Sequence, residues 1–412
     1  MMSDTLKPEN AEQLLQAVQW AVAEKQPLEV VAGGSKRVYG RPMQTAATLD
    51  LSALSGIKIY EPAELYMTAL AGTPMSDIDA ALAEAGQQLS FEPPDLGPLL
   101  GGAAHAGTIG GVVACNLAGP RRIKEGSARD HVLGFHAVSG RGETFKSGGT
   151  VVKNVSGFDL SKLLAGSMGT LAVMSEVTLK VLPAPEKIRT LLICWRTDGV
   201  YDHGAMKAMS RALGSPHDVS GAAHLPAAVA GRSSVDYVSN SGGGVTALRV
   251  EGPAPSVEHR AKALAESLKE FGHIEELHTS NSKTFWQEIR DVTAFVGRHD
   301  LPIVWHLSVP PASGSKVALG LLENLRGEVI YDWGGGSIWL ALAGGDAHAD
   351  MVRAAVAKTG GHATLIRAPA DVRAEAPVFE PRLGPEAEVT VNIKSGFDPD
   401  GILNPGRMYQ GV

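Results

Sequence analysis

The chain is poor in cysteine and in long apolar runs. It holds two cysteines among 412 residues, Cys115 and Cys194. Two cysteines cannot build a disulfide framework or ligate an iron–sulfur cluster by themselves, so we expect both to be small buried side chains. No stretch approaches the ~18 apolar residues of a membrane-spanning helix, and the polar N-terminal residues lack the apolar core of a signal peptide. We therefore expect a cytoplasmic protein that meets the inner face of a membrane only through a partner.

The chain also has no excess of positive charge. The formal net charge is −7 at pH 7, which argues against a nucleic-acid partner, because nucleic acids favour basic surfaces. The chain is 44% hydrophobic and 20% charged, a composition typical of globular proteins. Its length suffices for more than one hydrophobic core. The sequence thus predicts a globular protein of several domains.

Two common nucleotide-binding motifs are absent: the Walker A loop, Gly-x-x-x-x-Gly-Lys-Ser/Thr, and the Gly-x-Gly-x-x-Gly fingerprint between a strand and a helix. A glycine-rich block from Gly107 to Leu179 is present instead. Backbone without side chains can approach a ligand closely, and its exposed N–H groups can bind anionic oxygens. The block predicts a surface for a phosphate-bearing cofactor. A set of tight turns in an ordinary α+β domain is the alternative.

A series of motifs, in order along the chain, resembles the FAD-binding domain of the vanillyl-alcohol oxidase, or PCMH-type, family. These motifs are Val30-Val-Ala-Gly-Gly-Ser-Lys, Thr108-Ile-Gly-Gly, Ala114-Cys-Asn, Arg129-Asp-His-Val-Leu-Gly, Gly157-Phe-Asp-Leu, Gly166-Ser-Met-Gly-Thr-Leu and Phe397-Asp-Pro-Asp-Gly-Ile-Leu-Asn-Pro-Gly-Arg. More narrowly, four motifs resemble the smaller FAD-binding subunits of bacterial glycolate oxidases: Ala118-Gly-Pro-Arg-Arg, Asp332-Trp-Gly-Gly, Gly360-Gly-His-Ala-Thr and Asn404-Pro-Gly-Arg-Met-Tyr. The resemblance covers nearly the whole chain.

The resemblance and the hydrophobic pattern together predict an α+β fold with a two-lobed FAD-binding domain and a cap domain. The FAD-binding domain covers residues 1–185, with lobes at about 1–92 and 93–185. The cap covers residues 186–375, and its pattern predicts two βαββαβ units, the ferredoxin-like split motif, in one antiparallel sheet. Residues 376–412 return to the FAD-binding domain.

Local signals place three helix starts and one long strand. Asn10, Ser76 and Ser256 are residues that commonly cap helices, so we expect a helix to begin after each. Apolar residues alternate from 171 to 182, which predicts a strand with Glu176 on its polar face. Residues 368–385 are rich in proline, alanine and glutamate and are expected to form a connecting loop.

The resemblance also implies which residues hold the cofactor. The first loop departs from the common family form and contains no histidine, so the resemblance implies noncovalent FAD. Lys36 offers positive charge for the diphosphate, although an exposed lysine is the alternative. Glu176 falls where the family holds the adenosine side, and a solvated strand residue is the alternative. The full predicted set is Gly33, Gly34, Ser35, Lys36, Thr108, Gly110, Gly111, Cys115, Gly119, Glu176, Val177, Asn404 and Arg407.

Oxidation of a 2-hydroxy acid needs a cation for the carboxylate and a base for the hydroxyl proton. His306 and His362 are candidate bases, because histidine titrates near neutral pH, while Arg367 and Arg407 are candidate carboxylate clamps. A structural or surface role is the alternative for each histidine. Trp333, which precedes three glycines, is a candidate cover for a flat ligand or an ordinary core residue. The sequence lacks the His-rich metal-binding stretch of larger D-2-hydroxy-acid dehydrogenases, so no metal site is predicted.

The resemblance implies an FAD-binding subunit of a complex that oxidises glycolate to glyoxylate. It implies two protein partners, a larger FAD-binding subunit and an iron–sulfur subunit, with electrons passing to a quinone-type acceptor. Two alternatives stay open at this point. One is a stand-alone FAD-dependent oxidase of another 2-hydroxy acid or alcohol. The other is a subunit without catalysis that relays electrons or serves as a scaffold.

Overall fold

The computed structural model describes residues 4–150, 157–195 and 202–411. Residues 151–156, within the glycine-rich block, lie outside the described residues. The strands are β1 (Asp4–Leu6), β2 (Leu28–Val31), β3 (Ala47–Asp50), β4 (Ile57–Glu61), β5 (Tyr66–Leu70), β6 (Gln87–Gln88), β7 (Val132–Ser139), β8 (Thr144–Gly148), β9 (Ala172–Lys180), β10 (Leu182–Pro183), β11 (Lys187–Trp195), β12 (Gly221–Leu225), β13 (Gly244–Gly252), β14 (His273–Leu277), β15 (Ile303–Ser308), β16 (Gly327–Asp332), β17 (Ser337–Leu342) and β18 (His362–Arg367).

The α-helices lie between these strands and after the last of them. They are α1 (Ala11–Ala23), α2 (Met75–Glu84), α3 (Ile109–Ala114), α4 (Arg122–Glu125), α5 (Ala128–His131), α6 (Leu160–Leu164), α7 (Asp202–Leu213), α8 (Ala227–Ala230), α9 (Asp236–Ser239), α10 (Ala254–Leu268), α11 (Thr279–Arg290), α12 (Gly314–Leu322), α13 (Ala349–Ala357), α14 (Ala370–Glu375) and α15 (Pro385–Phe397). None of the helices in the described part of the chain has the length and apolar composition that a membrane crossing requires.

The chain divides into two compact units. The first unit contains residues 1–118, 126–183 and 377–412, and the second contains residues 119–125 and 184–376. The short segment 119–125 therefore belongs to the second unit, although the residues on both sides of it belong to the first. The mixture of helices and antiparallel sheets confirms the predicted α+β class.

The first unit is built on two main sheets. The small sheet is parallel, in the order β1-β3-β2. The larger sheet is antiparallel, in the order β4-β5-β9-β7-β8. Helix α1 buries Leu14, Val18 and Ala21 against the small sheet and the tail residues Ile402 and Leu403. This spacing of three and four residues is the apolar face of an amphipathic helix.

Helix starts show where the local signals succeed and fail. Asn10 caps α1 as predicted, because its side-chain oxygen accepts a hydrogen bond from the Gln13 amide at 2.9 Å. Ser76 and Ser256 do not cap, since α2 and α10 begin directly after Pro74 and Pro253. Proline disfavours helical backbone in the residue before it, so neither helix extends further toward the N-terminus. The prolines therefore determine both starts.

The second unit contains the predicted repeat of βαββαβ units in a single antiparallel sheet. Its eight strands follow the order β14-β11-β13-β12-β16-β17-β15-β18. The two repeats meet where β12 pairs with β16 through His224 and Tyr331. The sequence pattern did not predict α11, which lies between the repeats. It also missed α14, a short helix inside the expected loop at 368–385.

The C-terminal tail of the first unit is held by a buried ion pair. The Lys394 Nζ donates to the Asp398 carboxylate at 2.7 Å and to the Thr170 carbonyl at 2.8 Å. The same carboxylate accepts the backbone N–H groups of Ile402 and Leu403 at 2.9 and 2.8 Å. One buried carboxylate thus organises the turn that follows α15.

Candidate functional site

A cavity in the first unit brings together most of the predicted cofactor residues. Its walls come from β2 and the loop after it, from α3, and from the start of β9. The predicted residues that line it are Gly33, Gly34, Ser35, Lys36, Thr108, Gly110, Gly111, Cys115, Asn404 and Arg407.

Glycine is required where the loop after β2 meets the segment before α3. A Cβ added at Gly33 would lie 1.8 Å from the Ala106 carbonyl oxygen. No rearrangement of a side chain relieves a contact with backbone, so a larger residue would push the two loops apart. The next residue, Gly34, has φ +71, a conformation that costs L-residues energy. These two glycines shape the part of the cavity that the sequence motif predicted.

Two cations lie in this cavity, where the Asp95 and Glu29 carboxylates act on them only from beyond ion-pair distance. Lys36 and Arg407 both line it, and burial lowers the pKa of each group. Among the residues that the structure describes, neither is ion-paired with a carboxylate, and the Arg407 Nε is buried without a hydrogen-bond acceptor. Burying an unpaired charge is costly. An anionic ligand in the cavity would supply the missing counter-charge and the missing acceptor.

The neutral groups beside the two cations do not compensate them. Burial raises the pKa of the Cys115 thiol, although Lys36 and Arg407 act in the opposite direction. Burial likewise raises the pKa of Tyr39. Both groups are therefore protonated and uncharged at neutral pH. The cavity is a positively charged site, and a diphosphate is an anion that fits two such cations.

Asn404 lines the cavity but has a structural task. Its side-chain oxygen accepts the Val30 amide at 2.8 Å, and its side-chain nitrogen donates to the Met168 carbonyl at 2.8 Å. The residue is buried and has φ +42. It therefore ties the tail to β2 and to the turn before β9, which are two walls of the cavity.

Three predicted cofactor residues do not line the cavity. Glu176, on β9 of the larger sheet, pairs with Lys58 on β4, two strands away, and lies 3.6 Å from the imidazole of His136 on the neighbouring β7. Val177 is fully buried in the same sheet. Gly119 belongs to the second unit. Their part in FAD binding stays a prediction.

Sequence reasoning missed several cavity residues. They include Met168 and Gly169, and three residues at the start of β9, Ala172, Val173 and Met174. The motif Gly166-Ser-Met-Gly-Thr was the available signal for the first two. The β9 residues gave no signal, because apolar residues at a strand start are indistinguishable from core.

The candidate catalytic residues of the second unit fall into two environments. His306 is enclosed by aromatic rings, 5.4 Å from Trp333 and 4.7 Å from Trp339, and its Nε2 lies 2.9 Å from the Ser337 hydroxyl. Burial, with smaller contributions from His362 and Arg122, lowers the pKa of His306 to about 3. The imidazole is therefore neutral across the physiological range. His362 is exposed at the start of β18.

Arg367 is hydrogen-bonded to backbone carbonyl groups. Its guanidinium donates to the carbonyls of Phe295 at 2.9 Å, Leu301 at 2.7 Å and Pro302 at 3.2 Å. These hydrogen bonds hold the loop before β15. They occupy several of the five N–H donors of the Arg367 guanidinium. The described contacts therefore direct Arg367 to backbone carbonyls, and its part as a carboxylate clamp stays a prediction.

A buried ion-pair cluster fixes segment 119–125 within the second unit. The Arg121 guanidinium donates to both carboxylate oxygens of Glu251, at 2.7 and 2.9 Å. Arg249 lies beside the same carboxylate and over the Trp286 ring, 4.6 Å from its centroid. Burial raises the pKa of Glu251, but the two arginines outweigh it and bring the pKa to about 2.

Glu251 should make the second unit sensitive to acid. A carboxylate whose pKa falls from 4.5 to about 2 on folding stabilises the protein above pH 4.5, and that stability is lost as the pH falls toward 2. The size is on the order of 3 kcal/mol. Glu251→Gln should therefore flatten the acid limb of the unfolding free energy measured by urea titration. An acid limb in Glu251→Gln identical to that of the wild type would contradict the assignment. Glu258→Gln, at an exposed site, is the matched control.

The described residues contain no cluster of metal ligands. Within residues 4–150, 157–195 and 202–411, no three His, Cys, Asp or Glu side chains come together as metal ligands.

Comparison with known proteins identifies the family. Residues 4–148 match the family model described as an FAD binding domain. The chain is 35% identical to glycolate oxidase subunit GlcE of Escherichia coli (strain K12), over 96% of each chain. It is 30% identical to glycolate oxidase subunit GlcD of Bacillus subtilis (strain 168), over 47% of this chain and 39% of that protein.

A solved structure confirms the fold at low identity. The chain matches 4-ethylphenol oxidase from Gulosibacter chungangensis with a TM-score of 0.71 and 14% identity, covering 98% of this chain and 88% of that one. The positively charged cavity, the family match and the full-length similarity to GlcE agree. The chain therefore belongs to the GlcE family of FAD-dependent oxidoreductases, and its cofactor is FAD.

Proposed function

We propose that this chain is an FAD-binding subunit of a glycolate oxidase complex, which converts glycolate to glyoxylate. The observation that carries the proposal is the positively charged cavity, in a chain similar over 96% of its length to a glycolate oxidase subunit. We propose two partners, a larger FAD-binding subunit and an iron–sulfur subunit, with electrons passing to a quinone-type acceptor. Any contact with a membrane is made by those partners.

The residues of the cavity bind and orient the cofactor. When bound, FAD accepts the two electrons that leave the carbon bearing the hydroxyl group. Lys36 and Arg407 provide charge for the diphosphate, and Arg407 also provides a free N–H donor. The apolar residues Val30, Leu51 and Val173 also line the cavity and exclude water there. No histidine occurs in the loop after β2, which supports noncovalent FAD.

The experiment is reconstitution of glycolate oxidation from separately purified subunits. Glycolate-dependent reduction of an artificial electron acceptor should require this chain together with the two partners. Activity of the partners that is unchanged when this chain is omitted would contradict the proposal.

A second measurement separates two forms of the proposal. If this chain oxidises the substrate, glycolate should bleach its flavin absorbance without any partner. If it relays electrons, bleaching should require the larger subunit. Oxygen-dependent turnover by the chain alone would favour a stand-alone oxidase instead.

A further inference from the structure

One arginine of the second unit is held in place without a partner for its charge. Arg122 is exposed at the start of α4, and its guanidinium lies over the Trp333 ring, 4.6 Å from the centroid. Among the residues that the structure describes, no carboxylate and no hydrogen-bond acceptor contacts this guanidinium. An exposed arginine is usually mobile, so its fixed position needs an explanation.

The backbone around Arg122 is anchored on both sides. Arg121 is buried in its ion pair with Glu251, and Lys124 pairs with Asp218 at 2.7 Å. The Trp333 indole N–H donates to the Gly119 carbonyl at 3.1 Å. The indole on which Arg122 lies is thus bonded to the segment that carries Arg122. Together these contacts fix the backbone of the segment and the indole on which the guanidinium lies.

Trp333 is itself held in a costly conformation. Its φ is +51, in the left-handed region that non-glycine residues seldom occupy. The same turn has no room for a larger residue at Gly335, where a Cβ would lie 2.3 Å from the Met206 sulfur. Strain of this kind persists where the surrounding structure imposes it, and it is concentrated at functional sites. The strain places the indole under the guanidinium.

The ring behind Trp333 adds no charge. His306 packs edge-on against Trp333 at 5.4 Å and is closed off by Trp339. Since its imidazole is neutral at physiological pH, it supports the indole without repelling a cation or attracting an anion. The cluster of Arg122, Trp333, His306 and Trp339 therefore presents a guanidinium backed by aromatic rings.

We propose that Arg122, held on Trp333, binds the carboxylate of a small organic acid. A guanidinium presents parallel N–H donors that match the two oxygens of a carboxylate. The aromatic support fixes the donors before the ligand arrives, so little side-chain entropy is lost on binding. The identity of the acid rests on the proposed function, and the carboxylate site itself does not.

The test uses oxalate, a dicarboxylate that flavin does not oxidise, as the probe. Calorimetric titration of the FAD-loaded full-length chain should show oxalate binding. Arg122→Met should weaken that binding by about 10- to 100-fold, which is the loss expected for a charge-assisted pair. Arg122→Lys should retain part of the affinity. Arg211→Met, at an exposed arginine of the same unit that lies over the Phe271 ring, should bind oxalate as the wild type does.

Two results would overturn the inference: a wild-type chain that does not bind oxalate, or an Arg122→Met chain that binds it equally well. FAD affinity and thermal unfolding should be unchanged in Arg122→Met. The Arg122 side chain is exposed, and it is not among the residues that line the cavity. If oxalate binds through Arg122 but reconstitution shows no glycolate oxidation, the carboxylate site stands and the proposed function fails.

Discussion

Replacing Arg407 by methionine should weaken FAD binding by about 10- to 100-fold. The guanidinium is buried and lines the cavity, and its Nε has no acceptor. A hydrogen bond from a charged group contributes roughly 1.5–3 kcal/mol, and methionine retains the volume while removing both charge and donor. Titration of apoprotein with FAD, followed by quenching of flavin fluorescence, measures the change.

A second variant separates charge from folding. The Arg407 guanidinium also donates to the Lys36 carbonyl at 2.8 Å, so its loss could loosen the loop after β2. Lys36→Met keeps that carbonyl and removes only the neighbouring charge, and it should weaken FAD binding in the same direction. Arg382→Met, at an exposed ion pair of the same unit, is the matched control. Wild-type affinity in both cavity variants would show that the cavity cations do not bind the diphosphate.

Replacing Lys394 by methionine should destabilise the first unit by about 3–5 kcal/mol. The change removes the cation and leaves the Asp398 carboxylate buried, where it is 1% exposed. The same carboxylate holds the amides of Ile402 and Leu403, so the turn that carries Asn404 and Arg407 loses support. Urea unfolding monitored by circular dichroism measures the free-energy change, and FAD affinity should fall with it.

The control for this prediction is an exposed ion pair. Lys58→Met breaks the pair with Glu176, where the lysine side chain is half exposed, and should cost about 0–1 kcal/mol. A loss in Lys394→Met as small as that of Lys58→Met would mean that the buried pair does not hold the tail.

The elements of the fold followed from local patterns, whereas several of their spatial relations did not. The periodicity of each βαββαβ unit predicted the eight-stranded sheet, because strand alternation and helix periodicity are local properties. Helix α11 lies between the repeats with Phe285, Trp286 and Ile289 buried. Most of the other residues of α11 are polar, so the sequence pattern did not reveal this apolar face. Proline determined the starts of α2 and α10, where serine had been expected to cap.

The candidate site is likewise divided between residues that local patterns predicted and contacts that they did not. Glycines and cations in motifs predicted the cavity residues, because backbone conformation and charge are visible in the sequence. Glu176 was predicted from the polar face of its strand. Its partners on that face, Lys58 and His136, depend on the order of the strands in the sheet, which no local pattern gives. Arg122 had only its motif as a signal, since its position on Trp333 joins residues more than 200 apart.

The absorbance spectrum of the purified chain, before and after denaturation, tests the central claim most directly. We predict the visible spectrum of bound oxidised flavin at close to one FAD per chain, with all of the FAD released into the supernatant when the protein is denatured. A colourless chain that takes up no added FAD would contradict the assignment of the cavity. Flavin that stays with the denatured chain would contradict noncovalent binding.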